Sequence, residues 1–194
     1  MSASEKGSQS LYLASGSPRR KELLSLLGVP FTIVKPDIPE NRNPEESAQD
    51  YVKRLSKEKA LAGMKLATEA DSVVIGSDTI VVLGDQVLEK PEHLDDAMQM
   101  LLSLSGGRHQ VMTAVTVADS NKTKTRLIIT DVWFREISEE EIRAYWASGE
   151  PCDKAGSYGI QGVGGRFVSR IEGSYHAVVG LPLMETDQLL HEFI

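Results

Sequence analysis

Cysteine is almost absent from this chain of 194 residues, since Cys152 is the only one. A single cysteine excludes an internal disulfide framework and a cysteine-rich zinc site. Long apolar runs are also absent: no uncharged run exceeds twelve residues, whereas a membrane-spanning helix needs about 20 apolar residues. The first ten residues contain no apolar segment of the kind found in signal peptides. We therefore expect a protein without a membrane span, located in the reducing cytoplasm.

Positive charge is scarce as well. The 21 lysines and arginines are outnumbered by 28 aspartates and glutamates, which gives a net charge of −7 and a pI near 5.2. Proteins that bind nucleic-acid polymers usually present a basic face, so this composition argues against such a partner. A small anionic substrate needs only a local cluster of cations, and the net charge does not oppose one.

The apolar pattern predicts alternating strands and helices. A strand at 11–14 is followed by a helix with Ser17 as its N-cap, Pro18 at its first position and Leu26 among the leucines of its buried side. A long helix is predicted from Asn43 to about Ala67. Further strands are predicted at 31–34, 72–75, 79–83, 86–88 and 167–171, and further helices at 94–104, 138–146 and 182–193. In the helix at 138–146, Ser138 and Glu141 have the spacing of a capping box.

Two more segments define the fold class. Alternation of apolar residues in 109–118 and 125–134, around a polar turn, predicts a long antiparallel hairpin. A hairpin joined to alternating strands and helices is typical of an α/β fold with a central mixed sheet flanked by helices. We expect residues 1–10 to form a flexible tail and residues 11–194 a single domain.

The turn after the first strand is a candidate phosphate site. Its sequence contains Ser15, Ser17, Arg19 and Arg20. A helix N-terminus offers unpaired backbone N–H groups to an anion, and hydroxyls and guanidiniums add further donors. A capped surface helix with solvated arginines explains the same residues equally well.

Lys59 stands out on the long helix. It falls in the middle of the apolar face that includes Tyr51, Val52 and Leu55. A lysine in such a position extends its ammonium to solvent, pairs with a carboxylate, or binds a ligand anion. The sequence leaves these three interpretations open.

Several carboxylates are candidate hard-cation ligands or bases. Asp78 follows the apolar run 72–75, so we expect it at the end of a strand, where α/β proteins place catalytic residues. It could hold a metal, activate water, or simply form a turn. Glu40 lies in an irregular segment, and the Glu89-Lys90 pair follows another strand. Each of these, taken alone, is also compatible with a surface role.

A glycine-rich segment at 156–165 contains Gln161. Glycines permit close backbone approach to a ligand, and an amide that both donates and accepts suits the edge of a nucleobase. The preceding Cys152 has no histidine nearby and is interpreted as inert, and the four histidines show no metal-ligand spacing. Cations combined with carboxylates suit metal-assisted hydrolysis of a phosphoanhydride.

The chain resembles the Maf family of nucleoside triphosphate pyrophosphatases. The motifs that carry the resemblance are, in order, LASGSPRRKELL, EKA around Lys59, IGSDTIV, LEKP, DKAGSYGIQG and HAVVGLP. They are collinear from Leu11 to the C-terminus, and the chain is most similar to the dTTP/UTP branch. The resemblance implies a sheet in two lobes with a cleft between them, as in inosine triphosphatases, and a possible homodimer.

The resemblance also implies roles. Asp78 would activate water for cleavage between the α- and β-phosphates, with Lys59 and Lys90 assisting on the phosphates. Ser15, Ser17 and Arg19 would bind phosphate. Glu40 and Asp78 would hold Mg²⁺ or Mn²⁺.

Three positions would select the pyrimidine: Arg20, Thr79 and Gln161. In the sister branch, which resembles a 7-methyl-GTP pyrophosphatase, an aromatic residue and a carboxylate are expected near the base. Those groups suit a cationic methylated guanine. The neutral imide of a pyrimidine can instead hydrogen-bond to a neutral amide such as that of Gln161. Alternatives are modified pyrimidine triphosphates, CTP or 7-methyl-GTP as substrates, or a nucleotide-binding regulator of cell division that inhibits septum formation.

Overall fold

The computed structural model describes residues 9–194, and a mixed sheet lies at its centre. Its strands are β1 (Ser10–Ala14), β2 (Thr32–Val34), β3 (Ser72–Leu83), β4 (Gln86–Leu88), β5 (Arg108–Ala118), β6 (Thr123–Phe134) and β7 (Val168–Glu172). The helices are α1 (Pro18–Ser25), α2 (Ala48–Leu66), α3 (Leu94–Leu104), α4 (Glu139–Ala147), α5 (Tyr175–Val179) and α6 (Leu183–Leu190). Short 3-10 segments span Glu150–Asp153, Ala155–Ser157 and Val163–Phe167.

The strand order is β2-β1-β3-β5-β6-β7, with β4 also paired to β3. β1 is parallel to β2 and to β3, and the remaining pairs are antiparallel. Parallel neighbours require crossover connections, and α1 and α2 provide them. The predicted α/β class with a mixed sheet is confirmed, while the division into two lobes stays a prediction.

β3 is the strand that positions the site. β5 pairs with one of its edges from Val74 to Val82. On the other edge β1 pairs with Ser72–Ile75 and β4 with Val81–Leu83. Residues 76–80 therefore lie between β1 and β4 without a strand partner on that edge.

This continuity corrects the sequence prediction of two strands at 72–75 and 79–83, with Asp78 beyond the end of the first. The chain continues as one strand because β5 supplies hydrogen bonds along its length. Gly76 allows α2 to approach the strand: a Cβ there would lie 2.4 Å from the backbone oxygen of Ser56. A residue with a side chain would push helix and strand apart.

The two faces of β3 pack against different helices, because successive side chains of a strand alternate. Ile80 and Val82 pack with α2 residues such as Val52. Val73 and Ile75 pack with side chains of α1 and α6. Asp78 therefore projects towards α2, whereas its neighbour Thr79 projects towards the opposite layer.

Most predicted elements are confirmed within about two residues, with three exceptions. α2 begins at Ala48 rather than Asn43, because the Ser47 hydroxyl accepts the Asp50 N–H as the N-cap. Leu26, predicted on the buried face of α1, is 64% exposed because the helix ends before it. The short helix α5 was not predicted, and its cap is the hydroxyl of Ser174.

Two predictions concern features outside these elements. The tail predicted for residues 1–10 lies, for residues 1–8, outside the described residues, and the single domain over 11–194 stays a prediction. Among the described helices, none combines the length and the apolar character needed to span a bilayer.

Candidate active site

A cavity of about 400 Å³ opens at the unpartnered stretch of β3. The β1–α1 turn, the segment after β4, and the glycine-rich segment 153–162 surround it. All the residues predicted to act on substrate line this cavity: Ser15, Ser17, Arg19, Arg20, Glu40, Lys59, Asp78, Thr79, Lys90 and Gln161. These residues come from separate parts of the chain, and the fold brings them around one space.

Lys59 connects the two predicted metal ligands. Its Nζ lies 2.7 Å from Asp78 Oδ1 and 3.0 Å from Glu40 Oε1. The Lys59 side chain is 13% exposed and the Asp78 side chain 7% exposed. Of the three interpretations of Lys59, the structure without ligand therefore adopts the carboxylate pair.

Burial and charge act in opposite directions on these carboxyls. Burial raises the pKa of Asp78 above its ordinary value, although Lys59 and Arg20 oppose the shift. Burial also acts to raise the pKa of Glu40, but Lys59 outweighs it, and the pKa of Glu40 is lowered. The deeper carboxyl is thus the stronger base of the two.

The β1–α1 turn is ordered by its serines. The Ser17 backbone N–H donates to Ser15 Oγ at 3.1 Å. The Arg20 N–H donates to Ser17 Oγ at 3.4 Å, so Ser17 is the N-cap of α1. Within residues 9–194, Arg19 and Lys90 form neither an ion pair nor a side-chain hydrogen bond, which leaves both cations available to an anion.

Arg20 is held differently from Arg19. Its Nε donates to the Gly180 oxygen at 2.7 Å, and its Nη2 donates to Thr79 Oγ1 at 3.2 Å. Burial lowers the pKa of Arg20, and the charge of Asp78 partly restores it. Arg20 therefore stands at a fixed position beside the cavity rather than in solvent.

A buried residue that sequence analysis missed completes this arrangement. Thr113 Oγ1 donates to the Ala177 oxygen at 2.6 Å. Thr113 has one hydroxyl proton, so it must accept from Thr79, whose Oγ1 lies 3.0 Å away. Thr79 in turn accepts from Arg20. The only sequence signal for Thr113 was a polar residue in an otherwise apolar strand.

Tyr51 was also missed as a neighbour of the site, and it contacts Glu89, which sequence analysis had named among the candidate carboxylates. The Tyr51 hydroxyl lies 2.9 Å from the Glu40 backbone oxygen and 3.3 Å from Glu89 Oε1. Burial raises the pKa of Glu89. Tyr51 lies on the buried face of α2 and was assigned only to the core, because periodicity does not reveal what a phenol oxygen meets.

The donor set suits a hard divalent cation. Mg²⁺ in proteins is commonly held by one or two carboxylates together with substrate phosphates and water. Glu40 and Asp78 meet that description, since both carboxylates contact one Lys59 ammonium. Within residues 9–194 no group of three or more histidine, cysteine, aspartate or glutamate residues forms a metal cage. A cation here would therefore require oxygen ligands from substrate or water.

The sequence matches known proteins over nearly its full length. A family model described as "Maf-like protein" matches residues 10–193. A dTTP/UTP pyrophosphatase of Vibrio parahaemolyticus is 66% identical over 97% of this chain and 100% of that protein.

Proteins of the same name from two other species are also similar. That of Vibrio vulnificus is 64% identical over 95% of this chain and 98% of its own length. That of Vibrio cholerae is 64% identical over 94% of this chain and 97% of its own length. The match extends across every segment that lines the cavity. The chain belongs to the Maf family.

Proposed function

We propose that this protein is a pyrophosphatase that hydrolyses dTTP and UTP to the nucleoside monophosphate and pyrophosphate. The observation that carries the proposal is the convergence of ten predicted residues on one cavity. Its close relatives are named for that activity. The proposed role is removal of surplus or non-canonical pyrimidine triphosphates from the cytoplasmic pool.

Asp78 is proposed to activate water. A general base must be deprotonated at working pH and basic enough to accept a proton. The raised pKa of Asp78 increases its basicity, while the contact with Lys59 at 2.7 Å keeps the anion stable. Asn at this position would retain the shape of the side chain without its basicity.

The cations of the cavity are proposed to bind the triphosphate. Among the described residues no carboxylate pairs with Arg19 or Lys90, and the Ser15 and Ser17 hydroxyls lie at the N-terminus of α1. Lys59 would turn from its carboxylates to the phosphates as substrate enters, because an anion then competes for the same ammonium. These groups would neutralise charge that develops on the leaving pyrophosphate.

A divalent metal is proposed as cofactor, with Glu40 and Asp78 as its protein ligands. When bound, such an ion polarises phosphoryl oxygens and lowers the pKa of water. Lys59 must release these carboxylates for them to coordinate a cation. The exchange of Lys59 between carboxylates and phosphates would therefore link metal binding with substrate binding.

Arg20, Thr79 and Gln161 are proposed to select the pyrimidine. Arg20 and Thr79 are fixed by hydrogen bonds on one side of the cavity. Within residues 9–194, the Gln161 amide forms no hydrogen bond, so its donor and acceptor are both available to an imide edge. A carboxylate in its place would favour a cationic base instead. A homodimer is proposed on family analogy.

The test is pyrophosphate release with Mg²⁺ or Mn²⁺ from the canonical triphosphates, modified pyrimidine triphosphates and 7-methyl-GTP. Rapid release from dTTP and UTP is expected, with a loss of about 10²–10⁴-fold in Asp78→Asn, the range of general-base contributions. Asp85→Asn makes the same change at the exposed β3–β4 turn and should leave the rate unaltered.

Other outcomes would contradict this proposal in defined ways. A preference for CTP or 7-methyl-GTP would overturn the pyrimidine selectivity while leaving the reaction type intact. Full activity in Asp78→Asn would remove Asp78 as the base. An inactive wild type that still binds dTTP would favour the nucleotide-binding regulator of cell division.

A further inference from the structure

The segment that carries Gln161 is held by a clamp of two side chains, the half-buried Glu150 and the buried Tyr145. Gly159–Gly164 follows the 3-10 segment Ala155–Ser157 and includes the first turn of the 3-10 segment Val163–Phe167. Gln161 is exposed near its centre, on the wall of the cavity. The backbone hydrogen bond within the segment, from Gly162 N to Gly159 O, is long at 3.4 Å, and Gly165 N just beyond it donates to Gly162 O at 3.1 Å. Such bonds alone do not fix the direction of an exposed amide.

Glu150, outside the cavity, supplies the stronger contacts. Its Oε1 accepts the Val163 N–H at 2.9 Å, and its Oε2 accepts the Gly164 N–H at 2.9 Å. Both carboxylate oxygens are thus used on adjacent backbone donors. A carboxylate bound by two N–H groups forms charge-assisted bonds, which are stronger than neutral ones.

Tyr145 of α4 extends the clamp to the start of the segment. Its hydroxyl accepts the Gly159 N–H at 3.2 Å and interacts with the Glu150 carboxylate. The side chain is 1% exposed and packs edge-on against Phe167, with ring centroids 5.1 Å apart. The clamp therefore rests on a rigid part of the core.

The glycines show how closely the backbone lies on these groups. A Cβ at Gly162 would lie 1.4 Å from Glu150 Oε1. A Cβ at Gly164 would lie 2.5 Å from the Tyr145 hydroxyl oxygen. A side chain at either position would displace the Glu150 carboxylate or the Tyr145 hydroxyl, so Gly162 and Gly164 allow the backbone to lie against the clamp.

Protonation supports the same interpretation. Burial acts to raise the pKa of Glu150, but the Tyr145 hydroxyl and the two backbone N–H groups outweigh it, and the pKa is lowered. The carboxylate is therefore ionised across the neutral range and accepts with both oxygens.

We infer that Glu150 is a positioning residue for base selection: with Tyr145 it holds the Gly159–Gly164 backbone so that the Gln161 amide faces the nucleobase. Glu150 touches neither phosphate nor base, and it acts through Gln161. This inference rests on the proposed function, which assigns Gln161 to the base. It predicts that loss of the clamp weakens recognition of the base and not of the triphosphate.

The experiment is a double-mutant cycle on binding, with Glu150→Gln, Gln161→Ala and the double variant. The probes are the non-hydrolysable α,β-imido analogue of dTTP and inorganic tripolyphosphate, titrated by calorimetry. Glu150→Gln places an NH₂ group against one backbone N–H, and we expect about tenfold weaker binding of the dTTP analogue. The affinity for tripolyphosphate should stay within twofold of the wild-type value. In the Gln161→Ala background, Glu150→Gln should weaken binding of the dTTP analogue by less than a further twofold.

Two further variants keep the test decisive. Glu140→Gln makes the same change on exposed α4 surface and should alter neither affinity. Tyr145→Phe removes only the hydroxyl, and it replaces Glu150→Gln if that protein fails to fold. Three outcomes would overturn the inference. The clamp variant could weaken binding of both probes equally, or change the binding of neither. It could also weaken binding of the dTTP analogue as strongly in the Gln161→Ala background as in wild type.

Kinetics on the same proteins separate this inference from the proposed function. If wild type releases no pyrophosphate from dTTP, the proposed activity fails while the binding cycle still decides the clamp. If wild type is active and the clamp variant retains its preference for dTTP and UTP over CTP and GTP, the clamp inference alone fails.

Discussion

The side chains at the two ends of the cavity are held by different kinds of interaction. The carboxylate end, formed by Glu40, Lys59 and Asp78, consists of charges in direct contact at 2.7 and 3.0 Å. The threonine end, formed by Arg20, Thr79 and Thr113, is a chain of hydrogen bonds that ends on backbone oxygens. Asp78 and Thr79 are sequence neighbours, and strand alternation alone sends them to different ends.

This difference indicates a division of labour. Charges held by one another change partners readily when a ligand brings new charges, so the carboxylate end is suited to a reaction. Hydroxyls with every proton committed keep a fixed shape, so the threonine end is suited to selection. Placing both on one strand keeps their separation constant, and the charges of Arg20 and Asp78 still act on each other's pKa.

The largest expected effect comes from Lys59→Met at the carboxylate end. Without the ammonium, Asp78 loses its main opposing charge, and its pKa rises further. A base works when deprotonated, so activity is lost as pH falls through that pKa. In the variant, the acidic limb of the pH profile of kcat/KM therefore moves to higher pH. We expect kcat/KM to fall about 10²-fold or more at neutral pH.

The measurement is a pH profile of kcat/KM between pH 5 and 9. Lys57→Met removes an exposed lysine from the same helix and should leave the profile unaltered. If the limb stayed in place in Lys59→Met, Lys59 would not control the protonation of Asp78.

A smaller effect is expected from Thr113→Val at the threonine end. Valine keeps the shape but leaves the Thr79 hydroxyl without its acceptor and the Ala177 oxygen without its donor. We expect kcat/KM for dTTP to fall about tenfold, while the acidic limb of its pH profile stays at the wild-type pH. Thr116→Val, equally buried on β5 and bonded instead to Ser56 and Thr125, is the matched control. A shifted limb would show that the two ends are coupled.

The third effect concerns stability and not the rate, and it separates loss of activity in acid from unfolding. His109 is buried, its Nε2 lies 2.7 Å from the Tyr158 hydroxyl, and its Nδ1 has no partner within the described residues. Burial lowers its pKa to about 4, against about 6.5 when unfolded. Between these values the unfolded chain binds more protons, so stability falls as pH falls from 6.5 to 4.

At pH 5 this difference amounts to roughly 2 kcal/mol of unfolding free energy. Urea denaturation at pH 7 and pH 5 should show that loss in wild type and in the exposed-residue control His191→Gln. His109→Gln should lack it. An equal loss in His109→Gln would assign the acid sensitivity to other groups.

Local sequence predicted the local features well. The N-caps Ser17 and Ser138 were predicted and are confirmed, the second with its Glu141 capping box. Capping depends on residues three positions apart, so short spacing suffices to find it. The Maf resemblance is confirmed by the family model. Each predicted site residue lines the cavity, although the roles assigned to them stay predictions.

Other features could not be predicted from neighbours. Asp78 was placed at a strand end because Gly76 and Ser77 interrupt the apolar pattern, and only β5, more than thirty residues further along, makes the strand continuous. Glu150 showed no sequence signal, and Thr113 showed only a polar residue in a mostly apolar strand, because their partners lie on other segments. A polar residue in a strand has the same appearance whether it meets water or a hydroxyl.

The sequence by itself determined the α/β class, the caps of α1 and α4, the family and the types of residue available for chemistry. It also identified Lys59 as a cation on an apolar helix face. Only the tertiary structure decided that Lys59 joins Glu40 to Asp78 and that Thr79 turns to Thr113. Pairing of distant strands sets which faces meet, and that pairing depends on burial across the whole sheet rather than on spacing along the chain.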